Sequence, residues 1–170
     1  MTLLTQPLRD EHRELLPHLD ALQSLADAVG EAPASDILKR LDDTLAFLAG
    51  HLLVHAQAEE QVLYPAVAEV MGAPGTTATM RRDHVAIHQM ISDLQALRRH
   101  LDGAHLTPTN ERDLRRLLYG LHAVVQVHFA KEEEVFLPAL DADLTPDKAH
   151  SLFAAMEHAA ATLKATVGHA

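Results

Sequence analysis

The amino-acid sequence predicts an all-α protein, an antiparallel up-down-up-down four-helix bundle with an additional C-terminal helix. Only 4% of its 170 residues are aromatic and seven are glycine, whereas alanine and leucine are abundant, a composition that favours helices. Four long segments carry apolar residues three or four positions apart, as in helices buried on one face. Because short turns join these segments, consecutive helices are expected to run antiparallel. We predict a single domain spanning 1–170, with the bundle in 5–141 and the extra helix at about 145–167.

Glycine and proline mark the ends of the first two helices. The first is predicted from about Thr5 to Val29 and stops at a Gly-Glu-Ala-Pro break. Ser35 is predicted to cap the second helix, because serine accepts a hydrogen bond from the first turn. That helix is predicted to end near Met71, where Met-Gly-Ala-Pro-Gly forms the clearest loop in the chain.

The third and fourth helices are separated by a turn that contains a glycine and a proline. The third is predicted from about Thr77 to Asp102, and Thr109 or Asn110 is the predicted cap of the fourth. Pro65 and Pro138 are each expected near the end of a helix, where a lost backbone hydrogen bond costs less.

The last helix is expected to follow Thr145-Pro146. The residues predicted to face inward from it are Leu152, Met156, Ala159 and Leu163.

The composition excludes several classes of site. The chain has no cysteine, so iron–sulfur clusters, thiolate zinc sites and disulfides are excluded, and any metal must bind nitrogen and oxygen. A formal charge of -10 argues against nucleic acid and anionic membranes as partners. The N-terminal residues show no basic region followed by an apolar one, and no run of about 18 apolar residues exists. We therefore expect a cytoplasmic protein.

A short motif occurs twice, 73 residues apart, with six of twelve positions identical. A histidine and a glutamate four residues apart lie on one helix face, and here each pair falls within an apolar stripe. Burying so many ionisable groups is costly unless they are paired or bind a metal. The copies are His55-x-x-x-Glu59-Glu60-x-Val62-x-x-Pro65-Ala66 and His128-x-x-x-Glu132-Glu133-x-Val135-x-x-Pro138-Ala139.

A further histidine lies at a matching distance upstream of each copy. His12 precedes His55 by 43 residues and His84 precedes His128 by 44, so each half is predicted to be a helical hairpin of the same design. With His88 one turn after His84, the inner faces hold five histidines and two glutamates. Seven such donors exceed the four that zinc usually takes, and they suit two metal ions bridged by carboxylates. Imidazole with carboxylate favours iron or manganese over magnesium or calcium.

These residues resemble those of the hemerythrin-like (HHE cation-binding) family in its bacterial form. The resemblance covers Leu8 to about Leu140 and rests on Asp10-Glu11-His12, His55-x-x-x-Glu59, Asp83-His84-x-x-x-His88 and His128-x-x-x-Glu132. It implies two iron ions joined by an oxo or hydroxo bridge, with manganese or zinc as the alternatives. By resemblance, one iron is held by His84, His88 and His128, the other by His12 and His55, and Glu59 and Glu132 bridge them.

The resemblance implies a non-haem di-iron protein that binds O₂ or a related small oxidant, NO or peroxide, for sensing, storage or delivery. An electron donor is a further expected partner, and the sequence does not predict the oligomeric state. The first alternative is an enzyme with catalase-, peroxidase- or NO-reductase-like turnover at the same site. The second is a metal-dependent regulatory module, since metal binding couples to folding. The histidine-rich donor set leans towards reversible binding.

The identity of the second bridging carboxylate is open between two residues. Animal hemerythrins use an aspartate five residues after the fourth-helix histidine, and this chain has Glu132 at four and Glu133 at five. Symmetry with Glu59 favours Glu132. Glu60, Glu133 and Glu134 are then predicted to be solvated or to orient a ligand histidine.

Other candidate side chains are expected to lie outside the ligand set. His51 is predicted to be a pocket residue near the ligands, because its counterpart in the second copy is Val124. Tyr64 and Tyr119 each lie nine residues from a ligand histidine, about half a turn from the metal-facing side, and are predicted to be packing or rim residues. A contact between His158 and the site is a weaker expectation.

Overall fold

A computed structural model describes residues 3–101, 103 and 105–167, and within these ranges the protein is helical without any strand. The prediction of an all-α protein is confirmed. The five helices are α1 (Gln6–Ala28), α2 (residues 34–70), α3 (Ala78–Arg99), α4 (residues 108–143) and α5 (Pro146–Val167). None of the described helices is long and apolar enough to cross a bilayer.

Two of the helices, α2 and α4, are widened locally into π-helical turns. These turns are Leu48–Leu52 and Glu59–Leu63 in α2, and Glu132–Phe136 in α4. Pro65 and Pro138 each lie two residues beyond a π turn, in the last two turns of their helix as predicted. Proline lacks the N–H of the helical ladder and its ring clashes with the preceding turn, so a widened turn accommodates it.

The first four helices pack in a ring, and α5 crosses one side of it. Helix α1 packs against α4 and α2, and α3 packs against the same two helices. Helix α5 packs against the part of α2 that contains residues 53–63.

The apolar core consists of two clusters on either side of a polar layer. The larger includes Leu22, Leu41 and Leu118 and ends at Phe129, whose ring stacks on His12 at a centroid distance of 4.3 Å. The smaller joins residues of α1, α2, α3 and α4 to the apolar face of α5. Each fully buried leucine contributes about 1.5–3 kcal/mol to folding relative to an exposed one.

The helix caps differ from the prediction. Helix α2 begins at Ala34, so Ser35 lies inside the first turn and caps nothing, because the extended backbone of Pro33 already provides the entry. Helix α4 begins at Pro108, a residue suited to the first helical position, and the cap is therefore Thr107. The prediction of Thr109 was wrong, and Asn110 contributes only the reciprocal half of the capping box.

The last helix is confirmed, but its inward face is partly different from the prediction. Ala149, Phe153 and Met156 are its buried residues. The remaining predicted residues, Leu152, Ala159 and Leu163, are half-buried because α5 packs against the bundle along one narrow stripe. Helix α3 ends at Arg99, and its predicted end at Asp102 falls outside the described residues.

Candidate metal centre

Six of the seven predicted ligands converge in one buried layer of the bundle. None of the six is more than 7% exposed. In each motif the histidine and its glutamate are four residues apart and lie on the same helix face, so both side chains point into the core. The six are His12 from α1, His55 and Glu59 from α2, His84 from α3, and His128 and Glu132 from α4.

The donor atoms form two adjoining groups that share one carboxylate. His12, His55, Glu59 and Glu132 form the first group, and Glu59, His84 and His128 form the second; the donor atoms within each lie within 4.8 Å of one another. Oε1 of Glu59 lies 3.0 Å from Nε2 of His55, whereas its Oε2 lies 3.4 Å from Nε2 of His84. Glu59 therefore lies between two positions suited to a cation.

Several of these donor atoms are buried without satisfying their hydrogen-bonding capacity. Nε2 of His12, Nε2 of His55, both carboxylate oxygens of Glu59 and Oε2 of Glu132 have no hydrogen-bond partner in the described part of the chain. Such orphaned polar atoms are rare in a folded interior and costly to bury. Imidazole nitrogens with carboxylate oxygens are a donor set that iron accepts. The residues present thus fit a pair of iron ions.

Each of the four histidines has a second carboxylate behind its ring, at Nδ1. In each contact the carboxylate belongs to the helix that precedes the helix of the histidine, and α4 supplies the carboxylate for α1. The four contacts therefore form a closed ring around the bundle. The Nδ1-to-oxygen distances are 3.1 Å for His55 and Glu11, 2.9 Å for His84 and Glu60, 3.3 Å for His128 and Asp83, and 2.8 Å for His12 and Glu133. An Nδ1 proton held towards a carboxylate leaves Nε2 free to bind a metal.

The predicted orienting roles of Glu60 and Glu133 agree with this geometry, whereas Glu134 is exposed. Glu11 and Asp83 have no assigned role in the sequence analysis. The signal for them was present, because each immediately precedes a clustered histidine.

Cations support three of the four outer carboxylates. Arg9 pairs with Glu133, and Arg81, at the equivalent position of the second half, pairs with Glu60 at 3.3 Å. Asp83 pairs with Lys131. The residue equivalent to Lys131 in the first half is Ala58, which offers no charge to Glu11.

The charges of the layer shift the pKa values of its members. Burial lowers the pKa of His12, but the carboxylates of Glu132 and Glu59 outweigh it and raise this pKa to about 9. Burial likewise lowers the pKa values of His55 and His128, but neighbouring carboxylates have the larger effect and raise both. Burial raises the pKa of Glu59, yet the nearby imidazoles hold it well below its usual range. Without metal, the raised pKa values of His12, His55 and His128 favour their protonated forms, and the lowered pKa of Glu59 favours its ionised form.

Tyr64 packs in the smaller apolar cluster, as predicted, but its hydroxyl lies inside the layer and not half a turn from the metal-facing side. It is fully buried, and its hydroxyl donates to Oε1 of Glu132 at 2.9 Å. The π turn that starts at Glu59 inserts one residue, which rotates Tyr64 to about 80° from the direction of His55 instead of about 180°. Tyr119 is exposed and hydrogen-bonded to Asp27, as expected of a rim residue.

His88 is not part of the cluster. Its side chain is exposed and it belongs to neither donor group. The buried stripe of α3 is centred near Ile87, and His88 lies about 100° around the helix from it. His84, at about 60° on the same side, already lies at the edge of that stripe.

The remaining histidines with predicted positions lie away from the cluster. His51 is exposed and stacks near Phe47 at 5.7 Å, and His158 is exposed on α5. His18, His100, His105 and His150 are exposed as well, and His169 lies outside the described residues.

A cavity of about 430 Å³ lies between α1, α2 and α5 and reaches the ring of His55. Glu11 and Ala58 form part of its wall beside the histidine, and Phe153 and Lys164 line it from α5. The small side chain of Ala58 and the side chain of His55, which is 3% exposed, both line this cavity.

A helical bundle with two adjoining groups of buried histidines and glutamates defines the class of non-haem metal-binding proteins. The sequence model of the hemerythrin HHE cation-binding domain matches residues 3–140, and the chain belongs to this family, whose members bind metal ions, typically iron. Helix α5 lies beyond the matched residues. No match to the chain was found among curated proteins or among solved structures.

Proposed function

We propose that the protein is a non-haem di-iron protein that binds O₂ or a related small oxidant, NO or peroxide, for sensing, storage or delivery. The observation that carries this proposal is the sharing of Glu59 between two buried donor groups. In this account His12 and His55 hold the first iron, and His84 and His128 belong to the second. Glu132 bridges them together with Glu59, since its oxygens lie 3.4 Å from Nε2 of His12 and 3.5 Å from Nε2 of His128. The bound iron ions supply the electrons and the open coordination position that a small oxidant needs.

The residues of the chain hold this site ready for metal. Three outer carboxylates each hold a proton on Nδ1 of a histidine and fix the direction in which its Nε2 points, and the fourth, Glu11, lies 3.1 Å from Nδ1 of His55. The ring of Phe129, stacked on His12, excludes water from the side of the larger apolar cluster. A dry and oriented donor set favours binding of a small apolar molecule such as O₂.

The same account includes one domain with up-down-up-down topology. Contacts at the end of the bundle remote from the site support this topology. Arg115 near the start of α4 donates to the carbonyl of Val29 at the end of α1. There, too, Asp42 near the start of α2 pairs with Arg98 at the end of α3 at 2.7 Å. Helices α1 and α3 therefore run away from the site, and α2 and α4 return to it.

Reversible binding of O₂ tests the proposed role. Protein reconstituted with ferrous iron is expected to change its optical spectrum on exposure to O₂ and to recover it on deoxygenation. His55→Ala, which removes a donor facing the cavity, is expected to lose the reversible change, whereas His51→Ala, which changes an exposed residue one turn away, retains it. Rapid oxidation that deoxygenation does not reverse contradicts a carrier or storage role.

The cavity at His55 favours a second candidate function, an enzyme that turns over peroxide or NO. Its volume of about 430 Å³ exceeds what a diatomic ligand needs and falls in the range of cavities that hold organic molecules, so a reductant could approach the site. Steady-state consumption of peroxide or NO by the iron-loaded protein, lost in His55→Ala, supports this function. An iron-loaded protein with no turnover excludes it.

A further inference from the structure

The buried polar side chains of the two halves match except at one position. His12, Arg9 and Glu60 each have a counterpart of the same residue type in the second half, namely His84, Arg81 and Glu133. Tyr64, however, is replaced by leucine at the equivalent Leu137, although both positions follow a π turn, precede a proline and are fully buried. A buried phenol on one side alone points to a specific role for its oxygen.

The phenol oxygen of Tyr64 lies among the donor atoms of the second group. It is 3.2 Å from Nε2 of His84, 3.3 Å from Nε2 of His128 and 2.9 Å from Oε1 of Glu132. The two Nε2 atoms are themselves 2.9 Å apart. Both nitrogens and the phenol oxygen therefore face one small volume, which is the arrangement of ligands around a cation.

The second group also lacks the third histidine that the resemblance assigns to it. Its donors are His84, His128 and the shared Glu59, and Oε1 of Glu132 lies 3.5 Å from Nε2 of His128. The resemblance assigns His88 to this metal, but its side chain is exposed and lies in neither group. Besides the shared Glu59, Tyr64 places an oxygen within 3.3 Å of Nε2 of both histidines of the second group.

We propose that Tyr64 is a ligand, through its phenol oxygen, of the iron ion held by His84 and His128, in place of His88. This inference rests on the proposed di-iron function. Binding forms one bond between the oxygen and ferric iron and breaks the O–H bond of the phenol, whose proton leaves to solvent. No electron is transferred in this step.

An anionic oxygen ligand changes what the site does best. Phenolate is a hard donor that favours the ferric over the ferrous state, so the second iron is harder to reduce than one with three imidazoles. A carrier must return to the ferrous state each time it releases O₂. Ligation by Tyr64 therefore favours turnover of peroxide or NO over reversible O₂ carriage.

The optical spectrum of the ferric protein tests this ligand directly. Phenolate bound to ferric iron produces a charge-transfer band in the visible region, with resonance-enhanced vibrations of the tyrosine ring. We expect both in wild-type protein loaded with iron, and their loss in Tyr64→Phe, which keeps the buried ring. Tyr119→Phe, which changes the exposed tyrosine, is the matched control and keeps both signals.

Metal analysis of the same samples separates the possible failures. Wild-type protein that holds two irons per chain but shows no phenolate signal overturns the Tyr64 inference and leaves the di-iron function standing. Wild-type protein that takes up no iron overturns both. A phenolate signal that persists in Tyr64→Phe also overturns the inference, and because the wild-type spectrum is informative alone, the test does not depend on folding of the variant. The reduction potential of Tyr64→Phe is expected to be higher than that of the wild type.

Discussion

Among single residues, Glu59 affects both proposed metal positions at once. Its two carboxylate oxygens face histidines of different groups, at 3.0 Å and 3.4 Å. Glu59→Gln keeps the size of the side chain but replaces one carboxylate oxygen with an NH₂ group, which cannot bind a cation, and removes the negative charge. We expect the dissociation constant for iron to rise by at least about 10–100-fold, the range that removal of an outer partner already produces.

Titration of metal-free protein with ferrous iron measures this loss. Glu69→Gln is the matched control, because Glu69 is an exposed glutamate on the same helix, and its affinity is expected to equal that of the wild type. Wild-type affinity in Glu59→Gln would contradict the shared position of this carboxylate.

The raised pKa of His12 predicts how the stability of the metal-free protein depends on pH. The pKa rises from 6.5 to about 9 in the folded state, so the folded protein binds the proton more tightly than the unfolded chain. This stabilisation is fully present below pH 6.5 and is lost as the pH rises through about 9, by up to about 3 kcal/mol. Urea unfolding of the metal-free protein across this window is expected to show the decline, and His12→Gln should flatten it.

Metal binding is expected to depend on pH in the opposite direction. The same protons must leave His12, His55 and His128 before their Nε2 atoms can bind a cation. The affinity for iron should therefore rise as the pH increases from 6.5 to about 9, with protons released on binding. An affinity that stays constant across this range would be inconsistent with protonation of these histidines.

For the helices, the start of α4 provides the clearest test. Thr107 accepts a hydrogen bond from the backbone of Asn110 at 3.2 Å and forms a capping box with it. Thr107→Ala is expected to lower the free energy of unfolding by about 1 kcal/mol. Thr109→Ala, two residues further along and exposed, should change it by less than about 0.5 kcal/mol. Equal effects of the two substitutions in urea unfolding would show that the cap is placed incorrectly.

The helices themselves could be predicted from apolar spacing, but two features within them could not. Periodicity assumes a constant rotation per residue, and the π turn at Glu59–Leu63 violates it, which is why Tyr64 is misplaced by sequence reasoning. The prediction that His88 faces the site differs from the structure for the opposite reason. Its helix is regular, and the four-residue spacing from His84 puts it beyond the edge of the buried stripe.

At the scale of the whole molecule, the repeat made the site predictable. The matching separations of His12 from His55 and of His84 from His128 indicated two equivalent hairpins, and the structure brings these four histidines into one layer. The pairing of each outer carboxylate with its histidine could not be predicted, because each contact joins different helices. Only their packing order fixes which Nδ1 faces which acid.

The two halves depart from this symmetry at one position beside the site, which is Lys131 in the second half and Ala58 in the first. In the second half Lys131 pairs with Asp83, whereas in the first half Ala58 lines the cavity that reaches His55. On our account, a small ligand therefore reaches the first iron, and the second is enclosed with Tyr64.

Metal analysis combined with Mössbauer spectroscopy of the oxidised, iron-loaded protein tests the central claim most directly. Because Glu59 joins the two donor groups, we predict two iron ions per chain, one for each group, with their spins coupled. A single iron per chain, or two iron ions that behave as magnetically independent, would contradict a shared di-iron centre.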